Sequence, residues 1–177
     1  VKRLAIMWIV GAFVLMTFPS SMLAQGQEPI FQGLSWGDSI EEVRKVYAVS
    51  PKLDTIYQEE WIHDETAGPE FQASLGNIKV TSISFVFFDG RLMQIQVRVP
   101  DIISGVRAQS ALNERYGKAK FELLAQGAVA FWAWSHGDDT TIRMPENMRS
   151  FTFSSNSITS EYQKWRESQT AQDAQSW

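Results

Sequence analysis

Residues Val80 to Pro100 read VTSISFVFFDGRLMQIQVRVP, two alternating apolar runs on either side of Asp89-Gly90. The pattern is that of a β-hairpin. Successive side chains of a strand point to opposite faces, and cross-strand partners share a face. Ile83, Phe85 and Phe87 are the large residues on one face of the first strand, and Met93, Ile95, Val97 and Val99 are those of the second. All are odd-numbered, so if they line one buried face, paired positions sum to an even number and the loop holds an odd number of residues. A two-residue Asp-Gly turn breaks that parity. The pattern therefore predicts a three-residue loop, Phe88-Asp89-Gly90, with Gly90 in the left-handed conformation of a bulge, which glycine adopts without steric cost. The even-numbered face carries Ser82, Ser84, Gln94, Gln96 and Arg98 and is expected to be wet; near the tip it adds Val86, Phe88 and Leu92.

Upstream, Leu53 to Trp61 has the composition of a strand, His63 to Pro69 that of a loop, and Phe71 to Leu75 that of a short strand turning at Gly76-Asn77 into the hairpin. Before them, Ser39 with Glu42 three residues on forms a capping box, and Asp38 and Glu41 add charge where a helix dipole favours it. A helix begins there, with Ile40, Val43, Val46 and Tyr47 on its apolar side, and stops at Ser50-Pro51. Trp36, just ahead of the cap, is placed to pack back on the first turn.

Downstream, Pro100-Asp101 opens a second helix that runs to Tyr116 and stops at Gly117, with Ile102, Val106, Leu112 and Tyr116 as its buried stripe. Phe121 to Ala125, Ala128 to Ser135, Thr140 to Met144 and Ser150 to Ser154 read as a meander of strands. Ile158, Tyr162 and Trp165 suggest a last helix of about ten residues from Thr159 or Ser160, and Ser168 to Trp177 reads as a disordered tail. The order is helix and four strands, helix and four strands, then a closing helix. That order predicts an α+β fold, an antiparallel sheet with helices on one face, as a tandem duplication. The halves are residues 27–100 and 101–167, the second including the closing helix, and the tail is 168–177.

The chain opens Val1-Lys2-Arg3, runs apolar from Leu4 to Phe18, and passes through Pro19 to the small and polar group ending at Gly26. This is the layout of a secretory signal peptide over residues 1–26, with a cut after Ala24 or Gly26. The apolar run of about 15 residues falls short of the roughly 18 to 20 that span a bilayer, so no stable membrane span is expected after processing and the protein is expected in the periplasm or secreted. Processing takes Lys2 and Arg3 and no acid from a chain of net charge −4, making it more acidic. With no basic run, nucleic acid is discounted as a partner. There is no cysteine, which excludes disulfides, thiolate metal sites and a lipid-bearing N-terminal cysteine.

The stretch Phe31 to Val43 has the pattern F-x-G-L-x-W-G-x-S-x-x-E-V, and Leu112-Asn113-Glu114-Arg115-Tyr116-Gly117 and Phe88-Asp89-Gly90-Arg91-Leu92 accompany it. It resembles the opening of many small exported bacterial proteins of unassigned role. The element order is similar to the tandem helix-plus-four-strand fold of β-lactamase inhibitor proteins, and distantly to the small outer-membrane lipoproteins of the β-barrel assembly machinery. The resemblance implies a scaffold for binding proteins in the cell envelope, without enzymatic activity. The chain departs from both in having no lipid-attachment cysteine and no cysteines to match the inhibitors' disulfides.

Chemistry has little specific support. His63-Asp64-Glu65 and His136-Gly137-Asp138-Asp139 are loops without recognised metal-ligand spacing, where Asp and Gly serve turns for backbone reasons. Glu41-Glu42, Glu59-Glu60 and Asp138-Asp139 are adjacent carboxylates, which is no sign of acid and base roles. No Gly-x-Ser-x-Gly elbow or Gly-rich phosphate loop is present, so no catalytic residue and no cofactor is assigned. The aromatic residues say more. In Ala128 to Trp134, Val129 and Phe131 share one face and Trp132 and Trp134 the other, and both faces are apolar. If Val129 and Phe131 enter the core, Trp132 and Trp134 stand on the open sheet face beside Val86, Phe88 and Leu92, as anchors for a partner; otherwise the tryptophans are core. The reading is an exported, non-catalytic binding or accessory module whose partner is another envelope protein. The alternative is a carrier of a small ligand or lipid with a cavity between helix and sheet, and a hydrolase built on His63 and His136 is a third class. The sequence sets no oligomeric state.

Overall fold

The structure, a computed structural model, describes residue 31 and residues 33–54, 58–64, 74–75, 77–123 and 130–175. The signal segment, Glu65, Phe71, Gly76, Val129 and Trp177 lie outside the described residues. The elements are α1 (Ile40–Val46), β1 (Ser50–Asp54), β2 (Gln58–His63), β3 (Ser74–Leu75), β4 (Ile78–Lys79), β5 (Ser82–Phe88), β6 (Arg91–Arg98), α2 (Ile102–Tyr116), β7 (Lys120–Leu123), β8 (Ala130–His136), β9 (Thr140–Pro145), β10 (Ser150–Ser155) and α3 (Asn156–Gln175). The α+β architecture is the expected one. None of the described helices is long and apolar enough to cross a membrane.

Eight strands form one antiparallel sheet in the order β1-β2-β5-β6-β10-β9-β8-β7, and β3 and β4 make a separate small hairpin. Each half is a helix followed by a four-strand meander, and the two meanders meet through their last strands. That seam runs β6 against β10, with Val97 opposite Phe151 and Ile95 opposite Phe153. The order is therefore palindromic.

The central hairpin departs from its predicted loop. Phe88 pairs with Arg91, and Asp89 and Gly90 both have positive φ, 51° and 69°. That is the two-residue primed turn that Asp-Gly favours. The odd residue required by parity is present, but as a β-bulge inside β6: Val86 pairs with Gln94 and Phe87 with Leu92, which leaves Met93 as the extra residue. The bulge exchanges two side chains. Leu92 goes to the main core and is fully buried, whereas Met93 joins Val86 and Phe88 on the opposite face.

The opening motif anchors this bulge. The Gly37 N–H donates to the Leu92 carbonyl at 3.0 Å, and the Leu92 N–H donates to the Asp38 carbonyl at 2.8 Å. The loop thus satisfies backbone groups that β10 does not reach. Ser39 Oγ then caps α1 by accepting from the Glu42 N–H. Trp36 packs against both cores and its Nε1–H donates to Thr140 Oγ1 at 2.8 Å. Phe31 and Leu34 are buried, Phe31 edge-on to Phe153 and stacked near Tyr47, so the motif closes the seam between the halves.

Helices α1 and α2 pack on one face, where Val43, Tyr47, Ala108 and Leu112 meet Phe85, Ile95, Phe153 and Met144. The buried stripe of α2 differs from the expected one. Ser104, Gly105, Ala108 and Leu112 face inward, while Ile102 and Val106 are exposed. The reason is close approach: a Cβ on Gly105 would sit 2.0 Å from the Met148 carbonyl oxygen, so only small side chains fit. Asp101 caps α2 through the Ser104 N–H, which holds its carboxyl below the usual range.

The third helix corrects two expectations. It begins at Asn156 and runs through the stretch expected to be a disordered tail. It also lies on the opposite face from α1 and α2, with Ile158, Tyr162 and Trp165 covering Val86, Phe88 and Met93. Asp139 in the β8–β9 turn seats its start. The Asp139 carboxylate accepts from Ser155 Oγ at 2.8 Å and from the Ser157 N–H at 2.6 Å, and Ser155 Oγ accepts from the Ile158 N–H at 3.2 Å.

Candidate functional site

The sequence-derived partner site does not assemble. Trp134 lies on the helix side of β8, almost fully buried, and its Nε1–H donates to Asn113 Oδ1 of α2 at 3.0 Å. Trp132 shares that side: it pairs with Met144 of the main core, and its ring lies 4.9 Å from that of Phe121. Of the two readings of this strand, the one with the tryptophans on the core side holds and the open-face partner site is overturned, because Asn113 offers Trp134 an acceptor and α2 covers it. Phe131 takes the outer face instead, under the guanidinium of Arg143 at 5.2 Å. Val86 and Phe88 are on the face expected for them but are sealed beneath α3, and Leu92 is in the core. No two of the expected groups, the tryptophans on one side and Val86 with Phe88 on the other, share a surface.

What remains uncovered by α3 is the middle of that second face. Strand register places Ser84, Gln96, Thr152, Arg143 and Ala133 in one row across β5, β6, β10, β9 and β8. A second row runs Ser82, Arg98, Ser150. Arg98 and Arg143 are exposed and Gln96 and Thr152 half-buried, while the small residues Ser82, Ser84 and Ala133 of the same rows are buried. At one end a shallow cleft of about 400 Å³ is lined by Thr81, Gln96, Arg98, Arg149 and Ser150. None of Arg98, Arg143 and Arg149 makes an ion pair among the described residues; the pairs present are Lys45–Glu42, Lys52–Glu60 and Arg91–Glu161.

No family model, curated protein or solved structure matches the chain.

The open face presents guanidinium, amide and hydroxyl groups on rigid strands, which suits hydrogen bonding to another chain or to an anionic group. The histidines are engaged elsewhere. His63 is buried, donates Nδ1–H to the Ala48 carbonyl at 2.5 Å and packs edge-on against Tyr47. His136 packs in the same way on Tyr116, and the Asp139 carboxylate of its loop is taken up by the start of α3. Burial raises the phenol pKa of both tyrosines above the ordinary value.

Sequence reasoning missed the arginine face and a signal that bears on it. Trp61-Ile62-His63 and Trp134-Ser135-His136 share the spacing W-x-H, and each follows a helix whose terminal tyrosine, Tyr47 or Tyr116, packs on that histidine. The repeat assigns Trp134 to the helix side with Trp61, and so sends Phe131 outward.

Proposed function

We propose that the protein is an exported, non-catalytic binding module of the bacterial cell envelope that docks another envelope protein on the open middle of its sheet. One observation carries the reading: among the described residues, α1 and α2 pack along one face of the eight-stranded sheet, while α3 packs on the other near the hairpin tip and leaves Arg98 and Arg143 exposed. A face built of Gln96, Thr152, Arg98 and Arg143 is stable in water and offers many hydrogen-bond donors to a partner. The leader at residues 1–26 and the opening motif support export and the resemblance to envelope scaffolds. The anchors are now Arg98, Arg143 and Gln96 rather than the tryptophans. Among the described residues Phe85, Phe87, Leu92, Ile95 and Phe153 pack between helices and sheet, which favours docking over a carrier.

The test is site-specific photo-crosslinking in the native host. A crosslinker at Gln96 or Thr152 should give one discrete adduct, and Arg98→Glu with Arg143→Glu should abolish it without moving the thermal midpoint. A crosslinker at Ser110, on the exposed side of α2, should give none. Equal labelling from Gln96 and Ser110 would sink the reading.

A further inference from the structure

The two edges of the sheet are treated differently. β1 is blunted: Pro51 lacks an N–H, the ladder slips between Pro51 and Leu53, and Lys52 is tied to Glu60. β7, Lys120-Phe121-Glu122-Leu123, has no proline and no bulge in its pairing with β8, and every one of its residues is exposed. Phe121 and Leu123 are 52% and 67% exposed, on the same side of the sheet as Trp132, whose buried Nε1–H has no acceptor among the described residues. The floor beside α2 is thus apolar, open and incomplete.

We propose that β7 is a self-association edge, pairing antiparallel with β7 of a second copy of this chain. The occupant follows from register. Partners across an antiparallel pair must share a face, so positions in a symmetric β7–β7 pair sum to an even number. Three such registers overlap the strand well. One sets Lys120 against Lys120 on the two-fold axis and another sets Glu122 against Glu122, both like-charge contacts that destabilise a pair. The third centres on Phe121, with Lys120 opposite Glu122 on both sides of the axis and Leu123 opposite Ala119. The Lys120-centred register also sets Glu122 opposite Lys118, but only the Phe121-centred one pairs both strand charges with opposite charge and leaves no like-charge contact.

The same register fits the helix side. α2 lies against β8 through Asn113 and Trp134. Two copies would hold their α2 helices three strand spacings apart, about 14 Å. Helices of about 10 Å diameter then leave a trough of a few ångströms. Phe121, Leu123 and Trp132 of each copy floor it. Because β1 is guarded, each copy offers one edge, and the assembly closes as a two-fold dimer instead of growing into a fibre. The contact is small, in the class below about 1,200 Å², so a micromolar dissociation constant is expected.

Sedimentation equilibrium of the purified protein tests this. The wild type should dimerise reversibly. Lys120→Glu and Glu122→Lys, each alone, should weaken the dimer at least about tenfold by placing like charges opposite each other. An equimolar mixture of the two variants should recover it, because each then faces its complement. In this cysteine-free chain Phe121→Cys should crosslink to itself on oxidation, since directly opposed Cβ atoms lie about 5 Å apart, whereas Ser110→Cys should not. A wild type that stays monomeric at about 0.5 mM overturns the proposal, given the interface class. A dimer indifferent to both charge variants overturns it too, as does crosslinking of Ser110→Cys equal to that of Phe121→Cys.

Discussion

The two halves tie helix to sheet with the same three residues but finish the knot differently. In the first, Tyr47 closes α1 against His63, and Arg44, one turn earlier, lies over the Trp61 ring at 4.4 Å. In the second, Tyr116 closes α2 against His136, and Asn113, one turn earlier, accepts from the Trp134 Nε1–H at 3.0 Å. Both tyrosine–histidine pairs have ring centroids 5.2 Å apart. The tryptophans are not equivalent: Trp61 is half-buried, whereas Trp134 is 3% exposed. The Trp61 Nε1–H donates to Glu59 Oε2 of its own strand at 3.0 Å and its half-buried ring meets the solvated Arg44 cation, whereas the buried Trp134 indole takes its acceptor from the helix. On α2 the small residues Ser104, Gly105 and Ala108 are buried, and Gly105 lies directly against the Met148 backbone in the turn between β9 and β10.

The contrast breaks most easily at the tryptophans. Trp134→Ala should lower unfolding free energy by about 3–5 kcal/mol in urea denaturation. Trp61→Ala should cost about 1–2 kcal/mol, because less apolar area leaves water there. Equal losses would mean that the knots are energetically alike. Gly105→Ala comes next. In a free helix this change stabilises, yet here the new methyl meets the Met148 backbone, and a loss of about 1–3 kcal/mol is expected from overpacking. A raised melting temperature would show that α2 has room.

Smaller effects sharpen the difference at the knot itself. Asn113→Ala leaves a buried indole N–H unpaired and should cost about 1–3 kcal/mol. Arg44→Met removes only a partly exposed cation from a ring face, about 0.5–1 kcal/mol. The smallest effect near neutral pH is that of the phenols. Burial raises the pKa of both tyrosines in the folded state above the unfolded value of about 10. The folded state therefore holds protons that the unfolded state releases, so stability is unaffected below about pH 10 and falls as pH rises toward the folded pKa. Tyr47→Phe should flatten that alkaline fall more than Tyr116→Phe does, as followed by urea midpoints from neutral to strongly alkaline pH. The opposite ranking would place Tyr116 in the drier site.

Much of the fold was legible because local rules act within a few residues. Ser39 and Asp101 cap their helices, Gly117 ends α2, and the meander's turns fall near Gly137 and Pro145. The site was not legible, for one recurring reason: face assignment depends on parity, and parity is lost at a single inserted residue. The bulge at Met93 reversed Leu92 and Met93, and Trp132 and Trp134 sit on an apolar strand where alternation has no polar face to mark the outside. The W-x-H repeat settles that strand, but its meaning comes only with the paired tyrosines.

The hairpin at Val80 to Pro100 divides the two kinds of information. By itself the sequence determined that two strands meet at Asp89-Gly90, that Ile83, Phe85, Ile95 and Val97 face one core, and that one odd residue must be absorbed, because side-chain alternation is a local property of extended backbone. Where that residue goes was decided by tertiary structure. The Leu92 backbone pairs with Gly37 and Asp38 from a loop more than fifty positions away, and α3 supplies an apolar cover for Met93 that no neighbouring residue announces. Bulges stay where distant groups satisfy the backbone they expose, and that partnership exists only once the chain has folded.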